Sequence, residues 1–339
     1  MLLNSKNLIQ TEDFPNKDTF DKLKGFFAVC VLLHHFTQYT DAFSKVFYPL
    51  WWVLQLLGTW SVGIFLFMSG YGLMSSVSAG KGKYIRTFPR KRILPFYVMC
   101  VLAVVTYLIM DICIGRTVDI WLVIKSLTFG GTLVTNGWYL QTMLFLYIIF
   151  YLVFRLIPNE KKALIAMTLV SVLYIMYSAI MSDNATRTVG IPMFILGMIL
   201  SLNKEKVYRA WEKVWIWLTL SCFVILAATM KISIMVHGYL YTAVMLVSVL
   251  AFIVFIMGLT YLIIRKAPAM LINPVFGFYG KMSLEMYIFQ GLFLVNFQFL
   301  WTEKGKKIPY FFILIIGTTL TAFMVSVIKK KIMLKGKRV

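Results

Sequence analysis

The sequence predicts an all-α, polytopic transmembrane helical bundle, and three observations carry that expectation. Composition is the first: of 339 residues, 60% are hydrophobic, 16% aromatic and 14% charged, with a mean hydropathy of +0.81. Soluble domains carry roughly a quarter charged residues, so no ordinary water-soluble fold fits. The second is a succession of apolar runs comparable to the ~20 helical residues that cross a hydrocarbon core of ~30 Å. The third is where Lys and Arg fall between those runs.

The first run, 23–39, is interrupted by Lys24, His34 and His35. Runs at 50–77, 93–112, 138–156 and 163–181 follow; 190–202 is short, and 214–230, 239–264, 283–301 and 309–328 bring the count to ten spans. Residues 120–133, with Lys125 inside and Gly130-Gly131 near the end, fit a re-entrant, interfacial or eleventh spanning segment.

Cytoplasmic loops are enriched in Lys and Arg whatever the acidic residues do. With the N-terminus inside, the inner segments hold four basic residues before or at the start of the first run, then six in 81–92 and three in 155–162. Four more lie in 204–213, three in 265–281 and six in 329–338, making 26 of the 34 in the chain. Both termini are therefore expected in the cytoplasm, with an even number of spans. The net charge of +21 follows from this orientation and from attraction to anionic lipid, so no nucleic-acid partner is implied.

The expected organisation is a cytoplasmic segment 1–22, an integral membrane domain 23–328 and a basic cytoplasmic tail 329–339. Residues 1–22 are polar and mixed in charge, unlike a cleavable signal peptide, so the first span is expected to act as an uncleaved anchor. Cys30, Cys100, Cys113 and Cys222 form no CxxC pair and suggest neither a zinc site nor a disulfide framework. No internal repeat, low-complexity stretch or appended soluble domain is visible in the sequence.

Against this background Lys24 and His35 stand out. Eleven helical steps return to within roughly 20° of the starting face and advance ~16 Å, so both side chains look the same way. Ionisable groups within a span are costly, and usually face a bundle interior or an aqueous cavity. Lys24 can instead snorkel to the headgroups. His35 lies too deep for that, although a neutral imidazole hydrogen-bonded between helices is a structural alternative. His34, rotated about 100°, fits that structural role better.

Three chemistries suit His35: a proton relay, a metal ligand or a general base. The chain has only three histidines, and His237 falls in an outer loop, which argues against a metal. Relays normally use several intramembrane carboxylates, whereas Asp111 and Glu285 lie near span ends. A general base needs only an imidazole and a place for the substrate.

In order along the chain, six elements resemble the integral membrane acyltransferases of family three, which O-acylate cell-surface and exported glycans and some other acceptors. Lys24-Gly25 through His35 matches that family's basic residue, ten residues and histidine. Residues 62–73, containing Ser69-Gly70, are similar to its apolar run ending in Ser-Gly, and Arg92-Ile93-Leu94-Pro95 to its Arg-Ile-Leu-Pro element. Gly137-Trp138-Tyr139-Leu140 resembles its Trp-aromatic-Leu, residues 192–198 its Phe-x-Leu-Gly-Met, and residues 280–290 its late Gly-x-x-Ser-hydrophobic-x-x-Tyr segment. The resemblance spans residues 20–300.

Two departures have consequences. Pro89 stands three before Arg92, where the family often has a second arginine; the nearby cations are Arg86, Arg90 and Lys91, which implies a rearranged donor contact. Gln290 takes the place of a frequent histidine, implying either that a second imidazole is not required or that the acceptor differs.

The resemblance implies an O-acyltransferase of a bacterial cytoplasmic membrane. It would move an acyl group, most simply acetyl, from acyl-CoA to a glycan hydroxyl, without a tightly bound cofactor or metal. On that reading Lys24, Arg90 and Arg92 pair with donor phosphates, and His35 is the base. Trp138 and Tyr139 stack on a sugar or adenine, or simply belong to an interfacial aromatic belt. Ser69 supports close helix approach through Ser69-Gly70 rather than acting as nucleophile. Glu285 partners Lys24 or lies at the inner surface, and Gln290 supports the site. The alternative is a secondary transporter or flippase for a glycan or lipid-linked precursor, but such folds tend to show repeated halves, and the sequence shows none.

Overall fold

A computed structural model describes residues 14–44, 47–128, 133–181, 185–268 and 273–335. The described residues build helices and no strand. In order these are α1 (Lys17–Thr40), α2 (Tyr48–Phe88), a π-helical turn (Pro89–Ile93), α3 (Leu94–Cys113), α4 (Ile120–Leu127), α5 (Trp138–Leu156) and α6 (Glu160–Met181). They continue as α7 (Ala185–Leu202), α8 (Lys204–Ser233), α9 (Gly238–Lys266), α10 (Pro274–Lys281), α11 (Ser283–Asn296), α12 (Phe299–Thr302) and α13 (Lys307–Lys335).

Seven helical stretches are long and apolar enough to cross a membrane. They contain eight of the ten expected runs, because the stretch Tyr48–Cys113 holds both 50–77 and 93–112. Residues 81–92, expected as a basic loop, are helical instead. The chain turns at Gly80, whose backbone leaves the helical region (φ 172°, ψ 64°), and then continues through the π turn into α3. Glycine is a weak helix former, so a break costs little there, and the wider π turn accommodates Pro89, which has no N–H to donate.

The remaining two runs differ more. Helix α1 starts at Lys17, six residues before its apolar run, because the Asn16 side chain accepts the Thr19 N–H at 2.9 Å and caps it. It is not among the seven membrane-length apolar helices. Packed between α2, α10, α11 and α13, it is shielded from lipid and can carry polar groups. The run 283–301 divides into α11 and α12. Fourteen residues of α11 extend only about 21 Å, short of a membrane thickness, but this helix is buried along nearly all its length.

Helix α4, at eight residues, is too short to span, which removes the eleventh crossing; Gly130-Gly131 lie outside the described residues. Helix α7 runs longer than its apolar core and holds Pro192 within it. The expected tail is helical as far as Lys335, and of the expected N-terminal segment residues 1–13 lie outside the described residues.

Small residues set the closest approaches. A Cβ on Gly70 of α2 would run into the Phe194 carbonyl oxygen of α7, and one on Gly197 of α7 would run into the Phe67 carbonyl oxygen of α2. A Cβ on Gly280 of α10 would meet the Asp21 carbonyl oxygen of α1. Gly197→Val is therefore expected to destabilise the protein by about 1–3 kcal/mol through overpacking, read as a lower unfolding temperature in detergent.

The basic connections meet at one end of the bundle. Lys81 donates to the Ile157 carbonyl at 3.0 Å and to that of Pro158, tying α2 to the α5–α6 connection. Lys329 of α13 pairs with Glu285 of α11. Around the sides, α6, α8 and α13 expose large apolar residues such as Leu173, Trp217 and Leu320, an outer surface suited to lipid.

Candidate functional site

Lys24 lies in the second turn of α1 and His35 five residues before its end, so the same helix serves two sites at opposite ends. Each lines a separate cavity. The Lys24 cavity, about 180 Å³, is walled by Ser69 of α2, Phe96 of α3, Tyr139 and Tyr147 of α5 and Ser283 and Tyr287 of α11. The His35 cavity, about 320 Å³, is walled by Gln38, Gln55, Thr59, Asn136, Trp138, Thr186 and Tyr241, most of them from the opposite ends of the helices. Tyr287 lines both. Its ring packs on Tyr139 at 4.9 Å between centroids, so these two phenols form the wall between the cavities.

The His35 imidazole is held on both nitrogens. Gln38 Oε1 faces Nδ1 at 3.1 Å and the Asn136 side-chain amide faces Nε2 at 3.3 Å. A carboxamide oxygen can only accept and its nitrogen only donate, so one tautomer satisfies both contacts: Nδ1 carries the proton and Nε2 presents its lone pair. Asn136 sits in the left-handed region (φ 59°), a conformation asparagine tolerates better than most residues, immediately before α5 begins. His34 touches the same cavity, its ring 4.8 Å from that of His35, but it is tied into the helix packing. It is buried, donates through Nδ1 to the Leu54 carbonyl at 2.8 Å, and its ring fills the space that a side chain on Gly58 would occupy. This is the structural role expected for it.

Around the Lys24 cavity, Lys24 pairs with Asp21 at 3.2 Å. Arg92, on the π turn, does not line the cavity but lies within electrostatic reach of Tyr84, of Tyr147 in the cavity wall and of Asp21, the partner of Lys24. Arg90 is exposed on the turn and lines neither cavity. Ser69 lines the Lys24 cavity beside the Gly70–Phe194 contact.

Trp138 and Tyr139, expected as one stacking face, are divided: Trp138 lines the His35 cavity and Tyr139 the Lys24 cavity. The Arg187 guanidinium lies 5.8 Å from the Trp138 ring centre, within cation–π range. Glu285 is buried and paired with Lys329, not with Lys24, because the C-terminal part of α13 reaches the first turn of α11. Gln290, also buried, donates from Nε2 to the Tyr287 carbonyl at 3.1 Å, and so acts on the helical turn that carries Tyr287 rather than in either cavity.

Three residues with evident positions at the site escaped the sequence reading. Gln38 follows His35 by three and could have been found as its helical neighbour. Gln55 is a lone carboxamide in an apolar run. Asn136 precedes a glycine, where an asparagine normally reads as a turn residue.

No curated protein and no solved structure matches the chain. A family model described as an acyltransferase domain matches residues 18–327. The match begins in the first turn of α1 and ends within α13, taking in every described wall of both cavities, together with the seven membrane-length helices: the chain belongs to acyltransferase family 3 and is a membrane acyltransferase.

Proposed function

We propose that this protein transfers an acyl group, acetyl in the simplest case, from acyl-CoA to a hydroxyl of a cell-surface or exported glycan, with His35 as general base. The observation that carries this reading is the pair of cavities, one with Lys24 at an otherwise neutral, largely aromatic wall and one built of carboxamides, hydroxyls, imidazoles and an indole, meeting at Tyr287. The Lys24 cavity opens toward the end where the basic connections gather, which positive-inside orientation assigns to the cytoplasm. Acyl-CoA is cytosolic and polyanionic, and Lys24 in that cavity and Arg92 on the π turn suit its phosphates, Arg92 through its planar fork. Arg90, exposed on the same turn, adds attraction at longer range.

At the far end, Gln38, Gln55, Asn136 and Thr186 supply the neutral donors and acceptors a sugar needs, and Trp138 a face on which a ring can lie. The acceptor hydroxyl displaces the Asn136 amide from His35 Nε2 and gives that nitrogen its proton as it attacks. Gln38, on Nδ1, keeps the imidazole in the required tautomer and orientation, the role an orienting partner plays for any catalytic histidine. Acyl-CoA is a substrate here, the bilayer of a bacterial cytoplasmic membrane is the solvent, and no tightly bound cofactor is needed.

The test is thiol release from acetyl-CoA by the purified full-length protein, with membrane glycan as acceptor and water taking the acetyl group in its absence. Consumption is expected, and Arg92→Ala should raise the KM for acetyl-CoA about tenfold, the order of one charge-assisted contact, with kcat little changed. An unaltered donor KM would remove Arg92 from the phosphate site. Movement of a glycan precursor across vesicles without thioester consumption would favour the transporter reading instead.

A further inference from the structure

Tyr287 occupies a position that the resemblance and the reading above leave without a role. If the donor sits in the Lys24 cavity and the acceptor with His35 in the other, the reacting carbonyl carbon must lie where the two cavities meet. One side chain among the described residues lines both, and it is Tyr287. Its placement is fixed at two points: the ring packs on Tyr139, and the Tyr287 carbonyl accepts from the buried Gln290 side chain. Tyr287 is a buried residue that opens onto both cavities, and among the described residues no side chain or carbonyl is hydrogen-bonded to its hydroxyl. A phenol normally gives its proton to an acceptor. This one, uncommitted among the described residues, stands at the wall the acyl group has to reach.

Other hydroxyls do not meet the same condition. Of these two cavities, Tyr139 and Ser69 line only that of Lys24, and Thr59 and Tyr241 only that of His35. Tyr107, also buried nearby, donates to the Ile288 carbonyl at 2.9 Å and is committed.

We infer that the Tyr287 hydroxyl is the oxyanion donor of the reaction, an inference that rests on the acyl-transfer reading. The acceptor oxygen forms its bond to the thioester carbon while His35 Nε2 takes the hydroxyl proton. The carbonyl π pair moves onto oxygen, and the Tyr287 O–H donates a hydrogen bond to that oxyanion without losing its proton. Collapse re-forms the carbonyl and breaks the carbon–sulfur bond. The proton on His35 passes to the departing sulfur, leaving ester, free CoA thiol and neutral imidazole. A donor aimed where charge develops, in a site with little water, stabilises the transition state more than the ground state.

Tyr287→Phe keeps the ring against Tyr139 and removes only the hydroxyl. With acetyl-CoA and purified full-length protein, kcat for thiol release should fall about a hundredfold, the usual effect of losing one such donor. The KM for acetyl-CoA should stay within about twofold, since the lost contact is made in the transition state. Incorporation of 3-fluorotyrosine at position 287 restores a phenolic donor and should restore most of the rate.

Full turnover in Tyr287→Phe, beside an active wild type, would overturn the assignment while leaving the acyl-transfer reading intact. So would a loss shared equally between kcat and donor affinity that fluorotyrosine does not repair, because that pattern belongs to a packing residue. A wild type that consumes no acetyl-CoA would overturn acyl transfer from that donor and the Tyr287 role with it.

Discussion

Replacement of His35 by alanine is expected to lower acyl transfer by about 10³-fold, within the 10²–10⁴ range that general-base catalysis contributes, while the protein remains folded. The second half of that expectation comes from the surroundings. His35 faces a polar cavity of about 320 Å³, so its removal leaves Gln38 and Asn136 accessible to water rather than stranded. His34→Ala supplies the contrast. That imidazole is buried, and its loss leaves the Leu54 carbonyl without its donor and opens a void above Gly58. Such a change acts on stability, by about 1–3 kcal/mol for the unsatisfied group alone. Thiol release from acetyl-CoA and thermal unfolding in the same detergent separate the two. Full turnover in His35→Ala would remove the imidazole from the chemistry, and an unfolded His35→Ala protein would make it a structural residue like its neighbour.

The second large effect is on the fold. Lys329→Met is expected to destabilise the protein by about 3–5 kcal/mol, because it leaves the Glu285 carboxylate buried without its partner. The double change Lys329→Met with Glu285→Gln should recover most of that loss. Neutral replacements of a buried ion pair are often tolerated where a half-pair is not. Unfolding temperatures of the single and double variants decide the matter: a single variant as stable as wild type would mean that Glu285 does not depend on Lys329 for its burial.

The parts of this structure that were legible in the sequence share a physical cause. Apolar runs report where a helix meets lipid, so 138–156 and 239–264 were found almost to the residue inside α5 and α9. Helix ends and breaks answer to other forces. Asn16 starts α1 by capping, α2 breaks at Gly80, a weak helix former, and the 81–92 segment stays helical because charge at a membrane surface does not oppose a helix. The division of 283–301 was invisible, since a helix enclosed by protein has no lipid thickness to match.

The site followed the same rule. Lys24 and His35 were conspicuous as costly groups among apolar neighbours. Asn136 lies in a turn where a polar residue is ordinary, and Tyr287, although it closes the late Gly-x-x-Ser-hydrophobic-x-x-Tyr segment, carries nothing in the sequence that assigns its hydroxyl a role. Pairing of Glu285 with Lys329 depends on residues 44 positions apart, a contact only the folded chain creates.

Trp138 and Tyr139 are adjacent in sequence, yet one serves each cavity. A rotation of α5 by one residue, about 100°, would exchange the surfaces offered to the two sides. On the proposed assignment of the cavities, selectivity for the incoming group and for its recipient is wired to the phase of a single helical turn. Substitution at position 138 would then alter the acceptor side alone, whereas an insertion or deletion in the 133–137 connection that re-phases α5 would alter both specificities at once.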